Sequence, residues 1–299
     1  MSYHELFVSQ LNVFNGLQTP FEEADYIILG VPFDVTSTYR AGSRFGPNFI
    51  REASLNIETY SFRTEIDVED LKIHDLGNLH ISVDTMKTLE RLELVISDLL
   101  QAGKTPVTIG GEHTITLGIL KGLGNKVSKT AVISFDAHLD IRNEFLGVKL
   151  CHATFMRRIN EEVKPAKIIE VGTRAVCKEE LDYAQKVGIE FLTVHQVRSE
   201  GTEQIAELLK EKLSKYESIY LSIDMDILDP AYASAVQNPE PDGLETHTLL
   251  NILHSICDKR VLGFDVVEIA PNFDNGASAI QAAKVVSEIL CYLEQSQKV

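Results

Sequence analysis

The chain has 299 residues, of which 44% are hydrophobic and 24% are charged, as in a folded protein with a sizeable core. Its formal net charge of −16 disfavours nucleic acid and anionic membranes as partners, because their phosphates would be repelled, and agrees with a cationic small molecule. The four cysteines are scattered without a CxxC pair, the first ten residues do not resemble a signal peptide, and no apolar run is long enough for a membrane helix, so we expect a cytoplasmic protein.

Short apolar runs rich in β-branched residues recur along the chain and predict eight strands. They lie at 25–32, 71–77, 105–111, 130–136, 166–172, 189–194, 218–224 and 260–268. Apolar residues three and four positions apart predict helices at 85–103, 203–216 and 277–295. Strands alternating with helices favour parallel pairing through right-handed crossovers. We therefore expect an α/β fold, a three-layer α/β/α sandwich with a mainly parallel central sheet of about eight strands, and a single domain over residues 1–299.

Several of the predicted strands end in polar residues, and ligands bind outside the carboxyl ends of the strands in an open parallel sheet. Alternate side chains of an extended segment point to the same side, so DAHLD (136–140) and DMD (224–226) can each present a row of ligands. With the histidine of GGEHT (110–114), they give four carboxylates and two imidazoles. The candidate metal ligands are His113, Asp136, His138, Asp140, Asp224 and Asp226.

The number of carboxylates indicates how many ions such a site would hold. Four unpaired carboxylates would repel one another and take up protons, and one divalent ion would leave them under-neutralised, whereas two balance their charge. An oxygen-rich set with some imidazole and no thiolate suits Mn²⁺ better than structural zinc. The sequence therefore predicts two Mn²⁺ per chain, about 3.5–4 Å apart, with room for a water molecule whose pKa they lower.

Other residues keep two interpretations each. A single D-x-D or D-x-H-x-D also fits a turn, so it is the joint occurrence that favours a metal site. Asp229, which precedes a proline, reads as a turn residue. His152 is either a packed histidine or a proton donor or acceptor at the same edge of the sheet. The arginine-bearing loop at 39–52 either binds an anion or is solvated or in contact with another subunit.

Three segments, GGEHT, SFDAHLD and LSIDMDILDP, resemble in order the metal-ligand motifs of the ureohydrolase family, the arginase and agmatinase group. Flanking segments around AGSRFGP and VVEIAP match as well, so the resemblance covers essentially the whole chain. It implies an α/β/α sandwich with two Mn²⁺ ions that hydrolyses a guanidino group to urea and an amine, in a homotrimer or homohexamer. It also implies that Glu268 binds the guanidinium, that His152 shuttles a proton, and that Asp140 helps to stabilise the tetrahedral intermediate.

The substrate tail is less well determined. Arginases have an Asn two positions after the third aspartate of the second motif and then a Ser/Thr-rich loop, whereas this chain has Arg142 and a loop at 141–151 without Ser or Thr. This resembles the agmatinase branch. The family's common Gly-Thr-Gly is replaced by residues 236–238, and Asn238 joins His152 and Glu268 as a candidate substrate-binding residue. Charged residues of both signs lie near these positions in the sequence, so charge alone does not decide between a cationic and an anionic tail.

We therefore expect agmatine to be hydrolysed to putrescine, in polyamine biosynthesis. Arginine, guanidinobutyrate, a substituted agmatine and formiminoglutamate remain alternatives within the same chemistry. A one-zinc amide hydrolase of the deacetylase kind is disfavoured because both His113 and Asp140 are present. A non-catalytic, metal-binding oligomeric homologue is disfavoured because none of the six candidate ligands is missing.

Overall fold

A computed structural model describes residues 3–9 and 12–298. The strands, numbered in chain order, are β1 Val8–Ser9, β2 Tyr26–Val31, β3 Tyr60–Ser61, β4 Ile66–Asp67, β5 Ile73–Leu79, β6 Thr105–Gly110, β7 Thr130–Phe135, β8 Lys167–Thr173, β9 Glu190–Thr193, β10 Ser218–Asp224 and β11 Val261–Val267. The α-helices are α1 Tyr3–Phe7, α2 Gly46–Ser54, α3 Thr85–Gln101, α4 Ile115–Gly122, α5 Phe155–Arg158, α6 Lys178–Val187, α7 Val194–Glu200, α8 Thr202–Leu213, α9 Thr246–Ile256 and α10 Ala277–Gln297. The expectation that the first ten residues do not form a signal peptide rests partly on Met1, Ser2 and Gln10, which lie outside the described residues.

Nine strands form one sheet in the order β1-β5-β2-β6-β11-β10-β7-β8-β9. Every pairing is parallel except that of the two-residue edge strand β1, which runs antiparallel to β5. The eight longer strands are those predicted from the apolar runs, so the expected α/β/α fold with a mainly parallel sheet is confirmed. The separate β3–β4 pair was not predicted, because two residues a strand leave no periodic pattern.

Helices cover both faces of the sheet, and every residue of β7 and β10 is buried. On one face α3 buries Leu89, Leu92 and Leu99, which the helical spacing had placed on a single side. On the other face the long helix α10 packs against α2 and α9. Each buried aliphatic side chain contributes about 1.5–3 kcal/mol relative to exposure. Among the described helices none is long and apolar enough to cross a membrane.

The strand order brings the polar strand ends together. The strands β6, β11, β10 and β7 are consecutive in the sheet, so the segments that follow them meet at one edge. The chain turns sharply after β6, where a Cβ atom on Gly111 would lie 1.9 Å from the Phe33 carbonyl oxygen. Only glycine fits there, and the turn delivers His113 to the same edge as Asp136 and Asp224.

Candidate metal centre and active site

The six candidate ligands converge in two groups that share one carboxylate. His113 Nδ1 lies 3.0 Å from Asp136 Oδ2, 3.2 Å from Asp224 Oδ2 and 3.8 Å from Asp140 Oδ2. His138 Nδ1 lies 3.3 Å from the other oxygen of Asp136. It also lies 3.0 Å from Asp226 Oδ2. Two sets of facing ligand atoms, joined by a carboxylate with one oxygen toward each, have the layout of a site for two cations.

Backbone amides fix the orientation of the carboxylates. Asp136 Oδ1 accepts a hydrogen bond from His138 N at 2.6 Å, and Asp224 Oδ1 accepts one from Asp226 N at 2.8 Å. Asp226 Oδ1 accepts one from Ala137 N at 3.1 Å. In each case the Oδ2 atom is left pointing toward an imidazole. The backbone therefore sets the orientation of these carboxylates before any metal ion binds.

The charges of the cluster favour cations. Burial alone would lower the pKa of His113 and His138, but the neighbouring carboxylates outweigh it and raise both pKa values well above the usual range. Burial and the adjacent carboxylates raise the pKa of Asp140 and Asp224 well above normal. With all four carboxylates ionised, the cluster would hold more negative charge than its two imidazoles can neutralise, so it takes up protons when no cation is bound.

The hydrogen bonds of His113 fit metal binding. Its Nε2 atom lies 2.8 Å from Ser222 Oγ, whose hydroxyl donates to Asp265 Oδ1 at 2.7 Å, so Nε2 carries a hydrogen, and a cation would replace the second proton that the raised pKa places on Nδ1. Nδ1 is buried and has no hydrogen-bond partner among the described residues, although carboxylate oxygens surround it. The carboxylate oxygens around His113 Nδ1, together with this nitrogen, are a set of ligand atoms that fits a divalent ion such as Mn²⁺. Sequence reasoning missed Ser222 and Asp265, since neither stands at a strand end.

Two site residues adopt left-handed backbone conformations, Asp140 with φ 51° and Glu268 with φ 71°. Such conformations are uncommon outside glycine and cost about 1–3 kcal/mol when strained. Glu268 Oε1 accepts a hydrogen bond from His113 N at 2.6 Å. Its Oε2 is buried and has no partner in the described part of the chain. Burial and then the neighbouring carboxylates raise the pKa of Glu268 well above normal. An unpaired carboxylate oxygen beside the cluster is a suitable acceptor for a guanidinium.

An open cavity of about 420 Å³ leads from the cluster to the surface. It is lined by His152, Asn238 and Glu268, the three candidate substrate-binding residues. His152 is buried in the turn that precedes α5. At the mouth, Arg142 Nε lies 3.7 Å from Glu180 Oε2 and its guanidinium stacks over Phe145.

Other sequence candidates lie elsewhere. Asp229 accepts hydrogen bonds from Ala231 N and Gly243 N, which confirms it as a turn residue. The last part of the segment 39–52 belongs to α2, where Arg51 is fully buried and forms a two-bond ion pair with Asp75, so this arginine is structural and binds no external anion. Arg174, which sequence reasoning missed, donates to the carbonyl oxygens of Asp226, Glu240 and Pro241 and ties two loops of the site together.

Comparisons with known proteins agree with this geometry. The model of the Arginase family matches residues 24–291. The chain is 35% identical to an agmatinase of Bacillus anthracis, over 93% of this chain and 95% of the relative. It is 34% identical to the N(1)-aminopropylagmatine ureohydrolase of Thermococcus kodakarensis, over 89% of each. The crystal structure of agmatine ureohydrolase of Thermoplasma volcanium superposes with a TM-score of 0.89, at 33% identity and 98% coverage of both chains. By its sequence and its fold, the chain belongs to the arginase family.

Proposed function

We propose that this protein hydrolyses a guanidino compound to urea and an amine with two Mn²⁺ ions bound by His113, Asp136, His138, Asp140, Asp224 and Asp226. The observation that carries the proposal is that the buried Oε2 of Glu268, beside that cluster, has no hydrogen-bond partner among the residues that the structure describes. An unpaired buried carboxylate is costly, and a bound guanidinium would satisfy it with charge-assisted hydrogen bonds.

Each proposed role follows from the position of a side chain. When bound, two divalent cations supply Lewis acidity and lower the pKa of water, which generates a nucleophile at neutral pH. Glu268 holds the guanidinium with its carbon toward the cluster. Asp140, one of the candidate ligands that line the cavity, helps to stabilise the charge that develops on the substrate. His152 lines the same cavity and transfers the proton that lets the amine leave.

The charges at the mouth favour a cationic tail, and we propose agmatine, with putrescine as the product. At the mouth the cavity is lined by the carboxylates of Glu180 and Glu240 and by the guanidinium groups of Arg142 and Arg174, and that of Arg174 is engaged with backbone carbonyl oxygens. Arg142 already faces Glu180, while the charged neighbour of Glu240 within the described residues is His138, 4.0 Å away. Glu240 is therefore available for a distal ammonium group. Lys149, Glu144 and Asp242 do not line the cavity.

The relatives support the same substrate class without fixing the tail. Curated relatives include agmatinases and an N(1)-aminopropylagmatine ureohydrolase, and a structural neighbour at 27% identity is a formimidoylglutamase. We further propose one domain over residues 1–299, a homotrimer or homohexamer, a cytoplasmic location and a role in putrescine and polyamine biosynthesis.

A urea-release assay with purified, manganese-loaded protein tests the proposal. The panel contains agmatine, arginine, guanidinobutyrate, aminopropylagmatine and formiminoglutamate, and metal analysis accompanies it. We expect agmatine to give the highest kcat/KM and the protein to hold close to two Mn per chain. A higher kcat/KM for arginine would overturn the substrate assignment, and no hydrolysis of any compound would favour a non-catalytic homologue.

A further inference from the structure

The imidazole of His152 lies between two threonine hydroxyls of one loop, the segment 34–38 that follows β2. Thr38 Oγ1 lies 3.3 Å from His152 Nε2. Thr36 Oγ1 lies 3.5 Å from His152 Nδ1 and also accepts a hydrogen bond from the backbone N of His152 at 3.2 Å. The edge-to-face contact with Phe145 restricts the ring further. Both ring nitrogens therefore face a fixed oxygen.

A buried carboxylate determines which way the Thr36 hydroxyl points. Glu112 is fully buried. It accepts hydrogen bonds from Thr36 Oγ1 at 2.5 Å, from Thr36 N at 2.8 Å and from Thr114 Oγ1 at 2.5 Å. Burial raises the pKa of Glu112 to about 7, and in its ionised form the carboxylate only accepts, so the single hydrogen of the Thr36 hydroxyl then goes to Glu112. Its oxygen consequently faces His152 as an acceptor.

An acceptor beside Nδ1 selects one neutral form of the ring. Burial, reinforced by the nearby imidazoles His138 and His113, lowers the pKa of His152 to about 4, so the ring is neutral at pH 7 and has one N–H. Because Thr36 Oγ1 is an acceptor beside Nδ1, this single ring hydrogen lies on Nδ1. The lone pair is then on Nε2, on the side of Thr38, and Thr38 lines the cavity.

We infer that Glu112, acting through Thr36, is a positioning residue that holds the imidazole of His152 in the Nδ1–H tautomer and so makes Nε2 the atom that exchanges a proton in the cavity. The inference rests on the proposed function, in which His152 transfers the proton. An orienting carboxylate that fixes the tautomer of a base is a known requirement of catalytic histidines. Here one hydroxyl separates the carboxylate from the ring.

Kinetics of two variants at one position test the inference. Thr36→Val removes the hydroxyl at nearly constant volume, and Thr36→Ser retains it. We expect Thr36→Val to lower kcat by about 100-fold, the lower end of the range for a general acid–base contribution, with KM within about twofold. Thr36→Ser should stay within about threefold of the unchanged protein. Glu112→Gln places an NH₂ donor opposite the donor groups of Thr36, so its kcat should fall by about as much as that of Thr36→Val. Equal losses in the Val and Ser variants, or none in Val, would overturn the inference.

A spectroscopic measurement separates this inference from the proposed function. The ¹³C and ¹⁵N shifts of the His152 ring, assigned by comparison with His152→Gln, report the tautomer in full-length protein with diamagnetic Mg²⁺ in place of Mn²⁺. We expect the Nδ1–H form in the unchanged protein and in Thr36→Ser, and a shift to Nε2–H in Thr36→Val. An Nε2–H ring in the unchanged protein refutes the inference. If no guanidino compound is hydrolysed, the proposed function fails, and the ring shifts still decide the tautomer.

Discussion

The metal end and the mouth of the cavity are built in different ways. At the metal end, Asp136, Asp224 and Asp226 are buried, and each gives one oxygen to a backbone amide. At the mouth, the side chain of Arg142 is 35% exposed and that of Glu240 is 42% exposed. There the charged groups meet at 3.7–4.0 Å, and although Glu180 accepts a hydrogen bond from Cys177 N, no backbone amide of the described residues holds the carboxylate of Glu240.

This difference separates chemistry from specificity. The ligand carboxylates are fixed by the backbone at the ends of adjacent strands, so a change there alters the reaction itself. The side chains of Arg142 and Glu240 at the mouth are partly exposed, so we expect a change there to alter which tail binds while leaving the cluster intact. A fold built this way accommodates new substrates through a few exposed residues.

The largest effect is expected from Asp136→Asn, which removes the charge shared by the two ligand groups. The bound metal should fall to one ion or fewer per chain. Mutating a residue that only hydrogen-bonds a metal ligand costs up to about 100-fold, so loss of the ligand itself should lower urea release by more than that. Metal analysis and the urea assay measure both. Asp229→Asn is the matched control, because this turn aspartate contacts no ligand and the variant should hold the normal metal content. Full activity in Asp136→Asn would refute the proposed centre.

Glu268→Gln should leave metal binding intact and weaken substrate binding. Losing one partner of a buried charge pair costs about 2–5 kcal/mol, so kcat/KM should fall by roughly 30-fold or more. Steady-state kinetics together with metal analysis test this prediction. A variant that loses its metal would instead assign Glu268 to the cluster.

A smaller effect is expected at the mouth. Glu240→Gln removes the proposed partner of the distal ammonium and should raise KM for agmatine by about 3- to 10-fold, as for a partly exposed charge pair, with kcat nearly unchanged. For guanidinobutyrate, whose tail is anionic, KM should be unchanged or lower. Glu144→Gln, an exposed carboxylate that does not line the cavity, is the control. Equal changes for both substrates would contradict the role of Glu240 in selectivity.

The smallest effect concerns stability, far from the cavity. Hydrogen bonds from Lys167 and then Lys212 lower the pKa of Glu190 to about 2. Because this is below the unfolded value, the stabilisation is present at neutral pH and is lost as pH falls from about 4.5 toward 2. Glu190→Gln should cost at most about 1 kcal/mol at pH 7, since the pair is partly exposed, and less at pH 3.5. Urea unfolding at both pH values measures the change, and an equal cost at both would disprove the pairing.

The sequence alone determined the eight long strands, the parallel sheet and the position in the chain of all six candidate ligands. Strand periodicity is local, since apolar runs such as 130–136 and 218–224 are visible without any partner. The spacing predicted that Asp136, His138 and Asp140 share one side of an extended segment, but β7 ends at Phe135 and Asp140 has φ 51°, so a turn after the strand brings these residues together. The charge argument for two cations needs only the number of carboxylates.

Tertiary structure decided what spacing does not contain. That β6, β11, β10 and β7 are neighbours follows from crossovers between distant segments, and it alone brings His113 to Asp136 and Asp224. The Glu112–Thr36–His152 contacts join residues as far as 116 positions apart. The pairing of Arg142 with Glu180, which leaves Glu240 available, is likewise a contact between elements. Hydrogen-bond direction and burial depend on three-dimensional neighbours, and no local pattern in the chain records them.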